Sequence, residues 1–98
     1  MILKEFKELQ KQNSKMVVVF SADWCGPCRV FAPIFEDTSE KFPALKFLKL
    51  NVDNCGEICA QYEVQSIPTM ILFKGTEIVK ERVGGFANQA QFIQWIES

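Results

Sequence analysis

Cys25 and Cys28 stand two residues apart with Gly26 and Pro27 between them, a spacing suited to thiol–disulfide exchange. The thiolate is the reactive form of cysteine. One sulfur attacks a substrate disulfide; the other then resolves the mixed disulfide and closes the Cys25–Cys28 bond. An apolar run, Met16 to Phe20, leads into the pair, and an amphipathic pattern from Val30 to Phe42 leads out. The cysteines therefore lie where a buried strand hands over to a helix, the context in which Cys-x-x-Cys reads as a redox pair. Backbone N–H groups and the macrodipole at a helix start favour negative charge. Cys25, at that start and with the more exposed sulfur, is the expected attacker. Cys28, one turn in and covered, is the expected resolving thiol. Pro27 suits a first helical turn because it has no N–H and a fixed φ. Gly26 permits another backbone to approach closely.

Two blander readings compete. The cysteines could be inert core residues, although Gly-Pro at a helix start is a poor place for burial. Alternatively, Cys25-x-x-Cys28 could join Cys55-x-x-x-Cys59 in a four-sulfur zinc site. The strand–helix setting favours thiol chemistry, so no metal and no bound cofactor are expected.

The elements that must hold the pair follow from periodicity. Ile2, Phe6 and Leu9 form an apolar stripe at helical spacing, predicting a helix over Leu3 to Gln12. Met16 to Phe20 is a β-branched run typical of a central strand buried on both faces. Val30, Phe31, Ile34, Phe35, Thr38 and Phe42 line one helical face, and the pattern crosses Pro33, predicting one kinked helix rather than two. Lys46 to Asp53 alternates, with Leu48, Leu50 and Val52 on one side; a helix connects it to the first strand, so the two run parallel. Glu57 to Tyr62 has room for a short helix only. Thr69 to Phe73 and Ile78 to Val83 form an antiparallel hairpin around Lys74–Glu77. Asn88 with Gln91 three residues on marks an N-cap, and Phe92, Ile93 and Ile96 bury the last helix. The order is α-β-α-β-α-β-β-α in one domain, residues 1–98, without internal repeats or linkers.

Trp24-Cys25-Gly26-Pro27-Cys28 resembles the active-site pentapeptide of the thioredoxin family. Ile67-Pro68-Thr69 resembles that family's cis-proline loop, and Phe20-Ser21-Ala22, Pro33, Lys49, Asp53, Phe73-Lys74 and Gly84 fall at matching positions. The resemblance runs from about Met16 to the C-terminus. It implies an α/β thioredoxin fold, a four-stranded mixed sheet flanked by helices on both faces, here with the N-terminal edge strand absent or a stub. It implies a protein-disulfide reductase recycled by an NADPH-dependent thioredoxin reductase and acting on disulfide-containing proteins. It further implies a cis bond before Pro68, with the Ile67 backbone offered to an extended substrate segment. Trp24, Gly26, Pro27, Ile67, Pro68, Val83, Gly84 and Phe86 would form an apolar rim around the active sulfur. Asp53 would accept from the Trp24 indole, and Lys49 would point beneath the site.

One departure stands out. Val19 occupies the position where the family usually carries a buried Asp, a proton acceptor for Cys28. The proton would then pass to water, to Asp23, or to Lys49 if desolvation lowered its pKa. The departure keeps a second reading open: a thioredoxin-like binding or regulatory module with little reductase activity. Cys55 and Cys59, one helical turn apart, have a Cα separation that permits a disulfide, but side-chain directions on a regular helix are poor for closing it; free thiols are expected, with a regulatory disulfide as the alternative. Cys59 is expected to be the more buried.

Composition narrows the partners. The chain has 98 residues, a formal net charge of −1 and no His. No basic patch points to nucleic acid, and no apolar run approaches the ~20 residues that span a bilayer. Lys4, Glu5, Lys7 and Glu8 break up the first dozen positions, which contain no signal-peptide apolar region. The reading is a monomeric cytoplasmic protein, a compartment where cysteines serve redox or metal chemistry rather than structural bridges.

Overall fold

The computed structural model describes residues 1–98. The elements are α1 (Leu3–Gln12), β1 (Lys15–Ser21), α2 (Gly26–Ser39), β2 (Lys46–Asn51), α3 (Gly56–Gln61), β3 (Thr69–Lys74), β4 (Glu77–Val83) and α4 (Gln89–Glu97). The sheet order is β2-β1-β3-β4. β1 runs parallel to β2 and antiparallel to β3, and β3 pairs antiparallel with β4. Four strands form the mixed sheet, and Met1 and Ile2 add no fifth.

β1 explains why the sheet is covered twice. Met16 through Ser21 are all buried, and alternate side chains leave on opposite faces. Met16, Val18 and Phe20 join Leu50, Ile71 and Phe73 of the sheet with Phe6 of α1 and Ile58 of α3. Val17 and Val19 join Met70 and Leu72 with Phe31 and Phe35 of α2 and Phe92 of α4. Phe92 is the hub of the second face. Its ring centroid lies 5.1 Å from Phe31, 5.9 Å from Phe35, 5.5 Å from Phe86 and 6.2 Å from Phe47. Burying a ring of that kind contributes roughly 1.5–3 kcal/mol.

Several local expectations shift. α1 spans Leu3–Gln12 as expected, but Ile2, at its N-cap outside the first turn, is exposed and Leu3 packs on the core in its place. In α2, Val30 lies outside the apolar face at 71% exposure; the helix starts at Gly26, and the buried stripe is Cys28, Phe31, Phe35 and Thr38. That helix is continuous through Pro33 but stops at Ser39 rather than reaching Phe42. Pro43 disfavours helical geometry at the residue before it. β2 ends at Asn51 instead of Asp53. The Asn51 side chain accepts the Asp53 N–H at 2.9 Å and turns Val52–Asn54 into a single 3₁₀ turn. The β3–β4 loop tightens to Gly75-Thr76, with Gly75 at φ +62°, the left-handed geometry that such a hairpin needs.

Candidate active site

The site sits at the end of β1 where the chain enters α2. The Cys25 N–H donates to the Ala22 carbonyl at 3.2 Å, turning the chain out of the strand. Cys25 is the N-cap of α2, and Pro27 lies in the first turn. The Cys25 sulfur accepts the Cys28 N–H at 3.3 Å. This sulfur takes the place of the usual capping oxygen and engages one of the four helix N–H groups that lack an intrahelical acceptor. A thiolate there would gain from that donor and from the positive end of the helix dipole.

Cys25 and Cys28 form a disulfide across a Cα separation of 5.3 Å. The two residues are covered almost equally, 6% and 4% exposed. Ala22, Val52 and Ile67 pack around the pair together. Cys25 caps α2 while Cys28 lies within its first turn, and that position on the helix distinguishes the two.

Two backbone segments wall the site. The Ile67–Pro68 peptide is cis, and the Ile67 carbonyl oxygen lies 3.9 Å from the Cys25 sulfur. Pro68 is buried and Ile67 half-buried. Beyond β4, the Gly84 N–H donates to the Pro68 carbonyl at 2.7 Å and joins the two segments. Gly84 has φ +97°, which favours glycine. Trp24 is 66% exposed, and its indole N–H donates to Asp53 Oδ2 at 3.0 Å. Val83 is 69% exposed, and Phe86 is half-buried against Phe31 and Phe92. Gly26 and Pro27 are exposed on the first turn of α2.

Lys49 pairs in register with Val19 across β1 and β2 but is exposed. Val19 is 3% exposed in an all-apolar cluster. Asp23 is exposed beside the site.

The second cysteine pair lies apart from the first. Cys55 and Cys59 are free thiols with their sulfurs 3.6 Å apart. Their relative burial is the reverse of the expectation. Cys55 is 2% exposed and joins the Phe6–Phe20 core, whereas Cys59 is only half-buried. Cys55 precedes α3 as its N-cap and turns into the core; Cys59, one turn later, reaches the edge. Burial pushes the Cys55 thiol up to about 12, helped by its hydrogen bond to Cys59 and that thiol's charge, against a smaller opposing effect from the terminal ammonium. The four sulfurs do not converge, and no group of three or more His, Cys, Asp or Glu side chains is placed to hold a metal. The zinc reading therefore has no site.

Ala22, one of the family-matching positions, packs on the disulfide. Two further contributors carry no local signal of that role. Val52 also packs on the disulfide, yet it reads as the apolar face of a strand. Gly85 is the second: a Cβ there would stand 2.9 Å from Phe31 Cγ. Nothing in its immediate sequence points to contact with a ring more than fifty residues earlier.

A family model described as Thioredoxin matches residues 2–98. Thioredoxin-1 of Saccharomyces cerevisiae is 42% identical over 92 residues, covering 94% of this chain and 87% of the relative. The thioredoxin of Mycoplasma pneumoniae is 39% identical over 95 residues, covering 96% and 91%. Among solved structures, a thioredoxin from Fasciola hepatica superposes with a TM-score of 0.89 at 32% identity, covering 98% of this chain and 92% of that one. Oxidised mitochondrial thioredoxin 3 from Saccharomyces cerevisiae gives 0.87 at 34% identity, covering 98% and 89%. No helix is long and apolar enough to cross a membrane. With its paired cysteines at a helix start and similarity over nearly its whole length, this chain belongs to the thioredoxin family and is a thiol–disulfide oxidoreductase that reduces protein disulfides.

Proposed function

We propose that Cys25 is the attacking sulfur and Cys28 the resolving one. The observation that carries this assignment is the Cys28 N–H directed at the Cys25 sulfur from the first turn of α2. A charge developing on Cys25 is met by a fixed donor and a helix dipole. The Cys25 thiolate displaces one sulfur of a substrate disulfide, which leaves as a thiolate and takes a proton. Cys28 then loses its proton and attacks the Cys25 sulfur. The second substrate sulfur departs, and the protein is left as the Cys25–Cys28 disulfide. The substrate gains two electrons and two protons. Val19 and its apolar neighbours offer no acceptor for the Cys28 proton, so in this reading it passes to solvent water.

Trp24, Gly26, Pro27, Val83, Gly84 and Phe86 form the docking rim. The Ile67 backbone next to Pro68 pairs with an extended substrate segment, a short β-augmentation. Asp53 holds Trp24 in place. Electrons come from NADPH through a thioredoxin reductase, and the protein works in the cytoplasm as a one-domain monomer. Insulin-type disulfide reduction, run with dithiothreitol and separately with NADPH and a thioredoxin reductase, tests this reading. Turnover in both assays is the expected result. Turnover with dithiothreitol alone would remove the reductase from the scheme, and turnover with neither would remove the function.

A further inference from the structure

We infer that Arg82 is a positioning residue for substrate binding, bracing the Val83–Phe86 loop against the cis-proline segment. This inference rests on the docking-rim reading above. Arg82 lies on β4, paired with Met70 of β3. Its side chain folds forward over the loop that follows the strand. Nη2 donates to the Gly85 carbonyl at 3.2 Å, and the guanidinium carbon stands 4.1 Å from the centre of the Phe86 ring. No carboxylate pairs with it; the single ion pair of the molecule is Lys11–Glu8. The planar guanidinium thus contacts both a backbone oxygen and an aromatic face, a combination that a lysine cannot reproduce.

The braced loop is attached at two other points. Phe86 packs on Phe31 and Phe92, and the Gly84 N–H holds the Pro68 carbonyl at 2.7 Å. Pro68 follows Ile67, whose carbonyl faces Cys25. Arg82 therefore acts on the site through the loop, without touching either cysteine. An unbraced loop would have to be ordered anew with each substrate, and that cost falls on binding. The disulfide chemistry itself would be unchanged.

The experiment compares Arg82→Ala, Arg82→Lys and Phe86→Leu in the full chain, with insulin as substrate. In Arg82→Ala the Gly84 amide should exchange with solvent about threefold to tenfold faster, the factor expected for losing an exposed cation–π contact with its hydrogen bond. KM should rise by a similar factor while kcat and the Cys25–Cys28 reduction potential stay at wild-type values. Arg82→Lys should show most of the same loss. The KM effects of Arg82→Ala and Phe86→Leu should be less than additive in the double variant, because both remove the same brace. An unchanged Gly84 exchange rate, wild-type behaviour of Arg82→Lys, or full additivity would overturn the inference, the last two by showing that the charge meets substrate directly. Val83→Ser separates the two levels. An unchanged KM there defeats the rim reading itself, whereas Gly84 exchange still reports on the brace.

Discussion

The indole N–H of Trp24 and the carboxylate of Asp53 meet at 3.0 Å although 29 positions separate them in the chain. Trp24 directly precedes Cys25, and Asp53 lies in the 3₁₀ turn that ends β2. The bond spans the two segments and sets the ring against the site while leaving most of it exposed. Asp53→Ala should free the ring. The expected result is a kcat/KM lowered about threefold to tenfold, with stability changed by less than about 1 kcal/mol because the contact is at the surface. Trp24 fluorescence anisotropy alongside the insulin assay checks both halves; an unaltered anisotropy would mean that something else holds the ring.

Cys25→Ser should abolish reductase activity, and Cys28→Ser should accumulate a long-lived mixed disulfide with substrate because no second thiol remains to release it. Non-reducing gels and intact-mass measurement read the adduct. Trapping by the Cys25 variant but not the Cys28 variant would reverse the assigned roles.

Val19→Asp places a carboxyl group in the cluster of Val17, Phe31, Phe35, Met70, Leu72 and Phe92. The variant should lose about 1–3 kcal/mol of stability from burying a polar group without a partner. It should also resolve the mixed disulfide faster, since it gains a proton acceptor. In the wild type the resolving step should accelerate from pH 6 to 9 as the Cys28 proton is lost more readily to solvent. Denaturant titration and rapid-mixing kinetics over that range decide; a variant neither less stable nor faster sinks the account.

Gly85→Ala should be destabilising by about 1–3 kcal/mol through overpacking. Its Cβ would stand 2.9 Å from Phe31 Cγ, and Phe31 is locked between Phe35 and Phe92. Gly26→Ala meets nothing within 4 Å and should fold with undiminished stability, although it adds a methyl group to the rim. A urea midpoint for Gly85→Ala equal to the wild type would show that the ring can yield.

Cys55 gives stability a definite alkaline limit. Its thiol is pushed from 9.0 to about 12 in the folded protein, first by burial. The unfolded chain therefore releases this proton at lower pH than the folded one. The contribution is fully present below pH 9 and is lost as pH rises from about 9 towards 12. Stability of the wild type relative to Cys55→Ala should fall over that window and stay level between pH 6 and 8. Reductase activity at pH 7 should be the same in both. A flat difference above pH 9 would refute the shift.

The chain alone determines its elements, because each is written in local spacing. The β-branched run of β1, the Asn88 cap with its Gln91 N–H bond at 2.9 Å, and the redox pair between strand and helix follow from neighbours a few residues apart. The family resemblance at Trp24–Cys28 and Ile67–Thr69 adds the partners of the pair. Tertiary structure decides what depends on distant chain segments. Val30 has the composition of a core residue, yet the onset of α2 at Gly26 turns it to solvent. Helical spacing places Cys59 deeper than Cys55, and the turn before α3 reverses that order, sending the first into the core and leaving the second at its edge. Lys49 stands beside Val19 in register, but exposure is set by what packs over β2, which spacing cannot report. Gly85 is required by a phenylalanine on another element, and Arg82 acts through a loop whose path depends on the Gly84–Pro68 bond. Local periodicity encodes which face a residue prefers; close packing of separate elements decides which residue occupies it.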